Sequence, residues 1–291
     1  MSGRWLVTGA NGMVGRDLHE QLKERGEDTV AVGHEELDIT RPDDVLYVVA
    51  HTRPDVIINC AAYTKVDDCE ANEDLATLIN GRGVENLSIA ANRYGSILTQ
   101  ISTDFVFDGK ATRPYDVRDR PAPISAYGRS KLAGEEAARK AERHLIVRTA
   151  WVFGVYGWNF VEAIRKQINN GVSTLRVVND QRGRPTYVPH LNAAVLRLAG
   201  LATSQEVNGI FHYADDDEVS WYDFAVEIVE GLRRNGKIER EVEIIPVPSS
   251  QYPRPAKRPA YSVLSTERYE RLTGVSPDSW REGLDEYLQL R

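Results

Sequence analysis

The sequence predicts an α/β protein, a doubly wound parallel sheet followed by a smaller C-terminal lobe. Three observations carry this. A short apolar strand runs straight into a glycine-rich turn and an amphipathic helix at the N-terminus. Strand and helix patterns then alternate through residues 1–150. Asp55-Val56-Ile57-Ile58-Asn59 is a continuous apolar run, the mark of a parallel strand covered on both faces.

The elements follow in order. Trp5-Leu6-Val7-Thr8 is the first strand. Val14, Leu18 and Leu22 recur at four-residue spacing, so a helix follows, and Gly26 suits its end. Thr29 to Val32 is the second strand. Pro42-Asp43-Asp44 opens a helix towards His51, with Thr40 or Arg41 near its cap. After the Asp55–Asn59 strand, a helix from about Asn80 to Tyr94 leads to a strand from Ser96 to Ile101. A helix around Tyr127 precedes the strand Ile146-Val147-Arg148. The second half is less regular. Seven prolines between Pro185 and Pro259 suggest loops, with one helix near Trp221 to Arg234. The expected division is a dinucleotide-binding Rossmann domain over 1–150. Residues 151–291 would be mainly a substrate-binding lobe, with some chain returning to the first domain.

Composition limits the function. At 291 residues, with 42% hydrophobic and 27% charged residues, the chain reads as an ordinary globular protein. A net charge of -7 without a long basic run argues against nucleic-acid binding. No apolar stretch approaches the length of a spanning helix, so no membrane association is expected. The N-terminus enters a strand at once and leaves no room for a signal peptide. Cys60 and Cys69, the only cysteines, suggest no disulfide framework. A cytoplasmic location fits these features, and a homodimer is compatible with them.

Three motifs carry chemistry. In Gly9-x-x-Gly12-x-x-Gly15 the first glycine permits a tight turn, the second lets backbone approach a pyrophosphate, and the third lets helix and strand pack closely. The helix N-terminus supplies free amides and a favourable dipole. Asn11 lies within this turn. The acid that commonly holds a ribose hydroxyl is missing at the end of the second strand, where Gly33 stands. His34 either faces a 2′-phosphate or is simply solvated, and Asp38-Ile39 are candidates for an adenine contact. Asn59-Cys60-Ala61-Ala62-Tyr63-Thr64 fits either a cofactor lying on the backbone or close helix packing.

Tyr127 and Lys131 are four apart and share one helical face. An ammonium beside a phenol favours the phenolate and lowers a pKa otherwise near about 10. That makes tyrosine a usable proton donor or acceptor. Ser102-Thr103-Asp104 follows a strand whose C-terminal end faces the same crevice, where the Thr103 hydroxyl could polarise a carbonyl. Together these point to reversible hydride transfer at a ketone or alcohol. Trp151 offers a flat ring for a sugar or base. Arg182, Arg184, Arg254 and Arg258 are candidates for a diphosphate clamp.

These residues, with the runs at 53–59, 102–109, 148–151, 159–160 and 179–186, resemble the extended short-chain dehydrogenase/reductase family over essentially the whole chain. The resemblance is to the branch that reduces the C4 ketone of a dTDP-linked 6-deoxysugar, dTDP-4-dehydro-L-rhamnose to dTDP-L-rhamnose. It implies NADPH or NADH as cofactor and a dTDP-linked keto sugar as partner. It implies Tyr127 as catalytic acid, Lys131 as its tuner and ribose contact, and Thr103 as the third catalytic member. With Gly9 and Asn11 of the glycine turn, it places Gly12, Met13, Val14, Asp38, Ile39, Ala62, Tyr63, Thr64, Tyr127 and Lys131 against the cofactor. Thr103, Asp104 and Trp151 would touch the sugar nucleotide. Related 4,6-dehydratases follow the Thr-Asp pair with Glu, whereas this chain has Phe105. No acidic cluster has metal-ligand spacing, so no metal is expected. Two rival readings stay open. One is a reductase of another nucleotide 4-keto sugar. The other is a non-catalytic NADP-binding regulatory subunit like that of methionine adenosyltransferase.

Overall fold

The computed structural model describes residues 3–291. Its first half builds the parallel sheet in the expected sequence. Strand β1 (Arg4–Thr8) passes through the glycine turn into helix α1 (Met13–Glu24), whose buried residues are Gly15, Leu18 and Leu22. Then come β2 (Asp28–Val32), α2 (Pro42–Thr52) and β3 (Val56–Asn59). Helices α3 (Val66–Ala71), α4 (Glu73–Thr77) and α5 (Gly83–Tyr94) precede β4 (Ile97–Thr103). A π-helical turn over Leu78–Arg82 joins α4 to α5. The helical run therefore starts well before the expected Asn80, because Asn72 and the short polar turns around it mask the helical period. Helix α6 (Ala126–Ala138) carries Tyr127, and β5 (His144–Thr149) follows.

The second half is far more helical than its prolines suggest. It holds β6 (Val152–Phe153), α7 (Phe160–Asn169), β7 (Thr174–Val178), β8 (Arg182–Gly183), β9 (Thr186–Tyr187) and α8 (Val188–Ser204). After these come β10 (Gly209–His212), β11 (Val219–Ser220), α9 (Trp221–Arg234), β12 (Glu243–Val247), α10 (Glu267–Thr273) and α11 (Trp280–Leu290). Pro189 sits in the first turn of α8, where a missing N–H costs nothing.

The central sheet has the order β10-β5-β4-β3-β1-β2, and all its pairings are parallel. Leu6, Ile57, Leu98 and Ile146 face α2, α5 and α6, while Val7, Val56, Ile58 and Val147 face α1 and α8. Both faces are covered, so the strands read as unbroken apolar runs. Sequence order reverses around β1, with β2 on one side and β3 on the other, which opens a crevice at the strands' C-terminal ends. A separate core gathers Phe153, Ile164, Leu175, Phe224, Ile228 and Trp280 from β6, α7, β7, α9 and α11. Among the described residues no helix is long and apolar enough to cross a membrane. Both cysteines are free thiols, and burial pushes Cys60 up to about 12 and Cys69 up to about 11.

Candidate functional site

The crevice holds a cleft of about 510 Å³ lined by residues from both halves, among them Gly12, Thr103, Tyr127, Lys131, Trp151 and Arg258. Its floor is the glycine turn. Gly9 takes φ +65°, and a Cβ there would come within 2.5 Å of the Ala61 nitrogen. A Cβ on Gly15 would stand 2.4 Å from the Gly9 carbonyl oxygen. No side chain caps α1 at Gly12, so its first amides face the cleft unclaimed by protein oxygens. This cradle fits a pyrophosphate.

Of the residues expected against the cofactor, Gly12, Met13, Val14, Ala62 and Thr64 line the cleft. Asp38, Ile39 and Tyr63 do not. The Asp38 carboxylate takes the Thr40 amide and hydroxyl at 2.9 and 2.7 Å, and the Ile39 side chain is buried against Gly83 and the α2–α5 core. The strand end at Gly33 differs from the expected absence of an acid. Glu36 folds back and accepts the Gly33 amide at 2.8 Å, with the Asn11 side chain alongside. A carboxylate is thus present at the end of β2, supplied three residues later.

Tyr127 lies in the first turn of α6, which Ser125 caps by accepting the Gly128 amide at 3.1 Å. Lys131 stands one turn on, almost fully buried, and donates to the Ile101 carbonyl at 2.7 Å. Thr103 ends β4. Its hydroxyl donates to Asp104 Oδ1 at 2.9 Å and accepts the Phe105 amide at 3.2 Å. The three expected catalytic side chains therefore meet in one cleft. The expected lowering of the Tyr127 pKa is not seen. Burial pushes the phenol up and Asp104 adds to this, while the hydrogen bond with Thr103 pulls the other way. The ammonium that was to lower it is engaged at Ile101. Asp104 is 2% exposed, its Oδ2 has no protein partner, and burial pushes its carboxyl up to about 6.

Asn80 is a buried residue beside the site that the sequence did not reveal. Its Oδ1 accepts the Tyr63 amide at 2.7 Å, and its Nδ2 donates to the Tyr63 carbonyl at 3.0 Å and to Ser130 Oγ at 2.9 Å. Ser130 in turn donates to the Tyr127 carbonyl at 2.8 Å. One buried amide thus ties the loop after β3 to the turn that carries Tyr127. The only available signal was a polar residue within a helical run.

A second cleft of about 460 Å³ adjoins the first and shares Trp221 and Arg258 with it. Phe160, Gln181, Tyr252 and Arg254 are among its other lining residues. Arg258 makes a two-point pair with Asp67 at 3.0 and 3.1 Å, and Arg254 lies 3.8 Å from the same carboxylate. Trp151 stacks flat on Trp221 at the junction, with ring centroids 3.5 Å apart. Of the four candidate clamp arginines, Arg254 and Arg258 face this space. Arg182 is engaged by Glu218 at 2.8 Å, and neither it nor Arg184 lines either cleft. Among the described residues no group of three His, Cys, Asp or Glu side chains could hold a metal ion.

The family model described as RmlD substrate binding domain matches residues 3–291. The spore coat polysaccharide biosynthesis protein SpsK of Bacillus subtilis (strain 168) is 41% identical, covering 98% of this chain and 97% of that protein. A probable dTDP-4,6-dihydroxy-2-methyloxan-3-one 4-ketoreductase of Streptomyces antibioticus is 40% identical over 97% of this chain and 94% of its own. The crystal structure of dTDP-4-dehydrorhamnose reductase from Bacillus anthracis str. Ames, in complex with NADP, superposes with a TM-score of 0.92 at 37% identity, covering 100% of both chains. The glycine cradle, the buried Tyr127–Lys131 face and the full-length matches converge: this chain belongs to the RmlD substrate binding domain family and is a homologue of dTDP-4-dehydrorhamnose reductase.

Proposed function

We propose that this protein reduces the C4 ketone of a dTDP-linked 6-deoxysugar, with dTDP-4-dehydro-L-rhamnose as substrate and dTDP-L-rhamnose as product, using NADPH or NADH. The observation that carries the reading is the meeting of Thr103, Tyr127 and Lys131 in a cleft that opens into a second cavity with aromatic and arginine walls. The first cleft suits a dinucleotide and a sugar ring. The second suits a base between aromatic faces and a diphosphate at Arg254 and Arg258. Residues 1–150 would hold the cofactor, and 151–291 mainly the sugar nucleotide, with α8 and β10 returning to the sheet.

The dinucleotide, when bound, supplies the hydride that C4 receives. The chain supplies the rest. Thr103 orients the carbonyl oxygen by hydrogen bonding. Tyr127 gives its proton to that oxygen as negative charge develops. Its raised pKa keeps the phenol protonated at neutral pH, which suits reduction rather than oxidation. Lys131, buried within one turn, offsets the charge left on the phenolate.

The test is NAD(P)H oxidation followed spectrophotometrically with freshly generated dTDP-4-keto-L-rhamnose, and identification of the product. One equivalent of reduced cofactor consumed per keto sugar supports the reading. Tight cofactor binding with no turnover of any 4-keto sugar would sink it and restore the non-catalytic alternative.

A further inference from the structure

Beneath the catalytic face lies a charged network that the reaction does not itself require. Glu135 is on α6, one turn beyond Lys131, and is fully buried. Its carboxylate takes Arg148 Nε and Nη2 at 2.8 and 2.7 Å, and the Ser102 hydroxyl at 2.6 Å. Neither partner of the Glu135–Arg148 pair is exposed at all. Arg148 Nη1 lies 3.3 Å from His212 Nε2, and the guanidinium sits 5.0 Å from the Phe107 ring centre. Three elements thus meet at one carboxylate, α6, β4 and β5, and β10 joins them through Arg148.

A buried ion pair is a poor device for stability, because its desolvation offsets much of its attraction and apolar replacements of both partners are often neutral or better. The placement suggests another role. Ser102 immediately precedes Thr103, and Ile101, which accepts the Lys131 ammonium, immediately precedes Ser102. Glu135 therefore grips the strand carrying Thr103 while sitting on the helix that carries Tyr127 and Lys131. We propose that Glu135 is a positioning residue for the reduction: it fixes the register between α6 and the end of β4 and sets a buried carboxylate one turn from Lys131. This rests on the Tyr127–Lys131 reading above.

The charges around Lys131 agree with this. Burial pushes Lys131 down to about 8, and the principal opposing influence is Glu135, followed by Cys60 at the end of β3. Cys60 and Cys69, the latter from α3, have thiols that burial keeps protonated. Asp104, after β4, acts on Tyr127. His212 on β10 is held neutral by burial and Arg148. Of the acids of α4 and α5, Glu73 and Glu85 are engaged at the outer surface by Arg129 and Lys140, and Asp74 is exposed. Glu135 is thus the buried carboxylate that sustains the ammonium.

The test compares pH profiles of kcat and KM for wild type, Glu135→Gln and the double variant Glu135→Gln/Arg148→Met. The double variant leaves no uncompensated charge and so guards against misfolding of the single one. Without Glu135 the alkaline limb of kcat should move down by about one pH unit, roughly a tenfold loss at pH 8.5, with little change at pH 6.5 or in KM. A folded double variant with the wild-type limb overturns the proposal. Ser102→Ala, which keeps both charges but removes one hydrogen bond to the carboxylate, should lower kcat about threefold or more while the melting temperature falls by only a few degrees. If neither charge variant folds, wild-type kcat in Ser102→Ala overturns it. Tyr127→Phe separates the two claims. Retained turnover there sinks the catalytic reading itself, whereas its loss beside an unmoved limb sinks only the role of Glu135.

Discussion

Phe105 packs edge-on against Tyr127, with ring centroids 5.5 Å apart and planes at 75°. The position after Asp104 is thereby filled by an apolar ring in contact with the Tyr127 phenol. Elimination of water across C5 and C6 of a sugar needs an acid and a base side by side, and a phenyl ring can be neither. Incubation with dTDP-glucose and NAD⁺ should therefore give no 4-keto-6-deoxy product. Its appearance at a catalytic rate would overturn the reductase assignment.

Tyr127→Phe keeps this packing and removes only the transferable proton. General acid catalysis is commonly worth about 10²–10⁴-fold, so kcat should fall by that order while cofactor affinity stays near wild type. Steady-state kinetics beside a cofactor titration measures both.

Asp67 holds Arg258 at two points and also accepts the Ala256 amide at 3.2 Å. Asp67→Asn should free the guanidinium and loosen the segment around it. KM for the sugar nucleotide should rise about tenfold, near the effect of one charged hydrogen bond, with kcat and cofactor binding nearly unchanged. A rise in cofactor Kd instead would place Arg258 outside the nucleotide subsite.

At the end of β2, Gly33 has no side-chain acid but Glu36 brings one. No arginine stands at 33–34 to grip a 2′-phosphate. The two cofactors should therefore differ by less than about tenfold in kcat/KM, one charged contact being worth about 1.4 kcal/mol or more. Glu36→Gln keeps an acceptor for the Gly33 amide and removes the charge, so NADPH should gain over NADH. A tenfold or greater preference of the wild type for NADH would show that Glu36 behaves as a ribose-binding acid.

His212 is completely buried, and burial with Arg148 beside it pushes its pKa down to about 3. The folded pKa lies below the unfolded value of 6.5, so the unfolded chain binds the proton first. This contribution is fully present above about pH 6.5 and is lost as pH falls towards about 3. Melting temperature should drop over that window. A His212→Asn variant should show a shallower drop, and identical slopes would rule His212 out as the cause.

The parallel sheet and its glycine cradle were legible because their signals are local: apolar runs, glycine spacing and a four-residue helical repeat. The Tyr127–Lys131 face was legible for the same reason. Asn80, Asp67 and Glu135 were not, because their importance lies in partners 13 to 191 positions away. Helix α8 was hidden by Pro189, which resembles a loop signal but occupies a helix's first turn. The lowered phenol pKa expected from spacing alone failed because spacing does not say where an ammonium points; Lys131 points at a strand carbonyl.

The flat stack of Trp151 on Trp221 joins a residue just beyond β5 to one opening α9, both packed against the core around Phe153 and Trp280. Trp151 holds this place with a backbone φ of 48°, a region unfavourable for a large side chain. Two indoles at 3.5 Å share their electronic transitions, so the pair should give a split signal in ultraviolet circular dichroism. That signal depends on the angle and distance between the rings, and hence on how the halves of the molecule sit about the junction. The protein thus carries its own optical gauge of this junction, readable without any label.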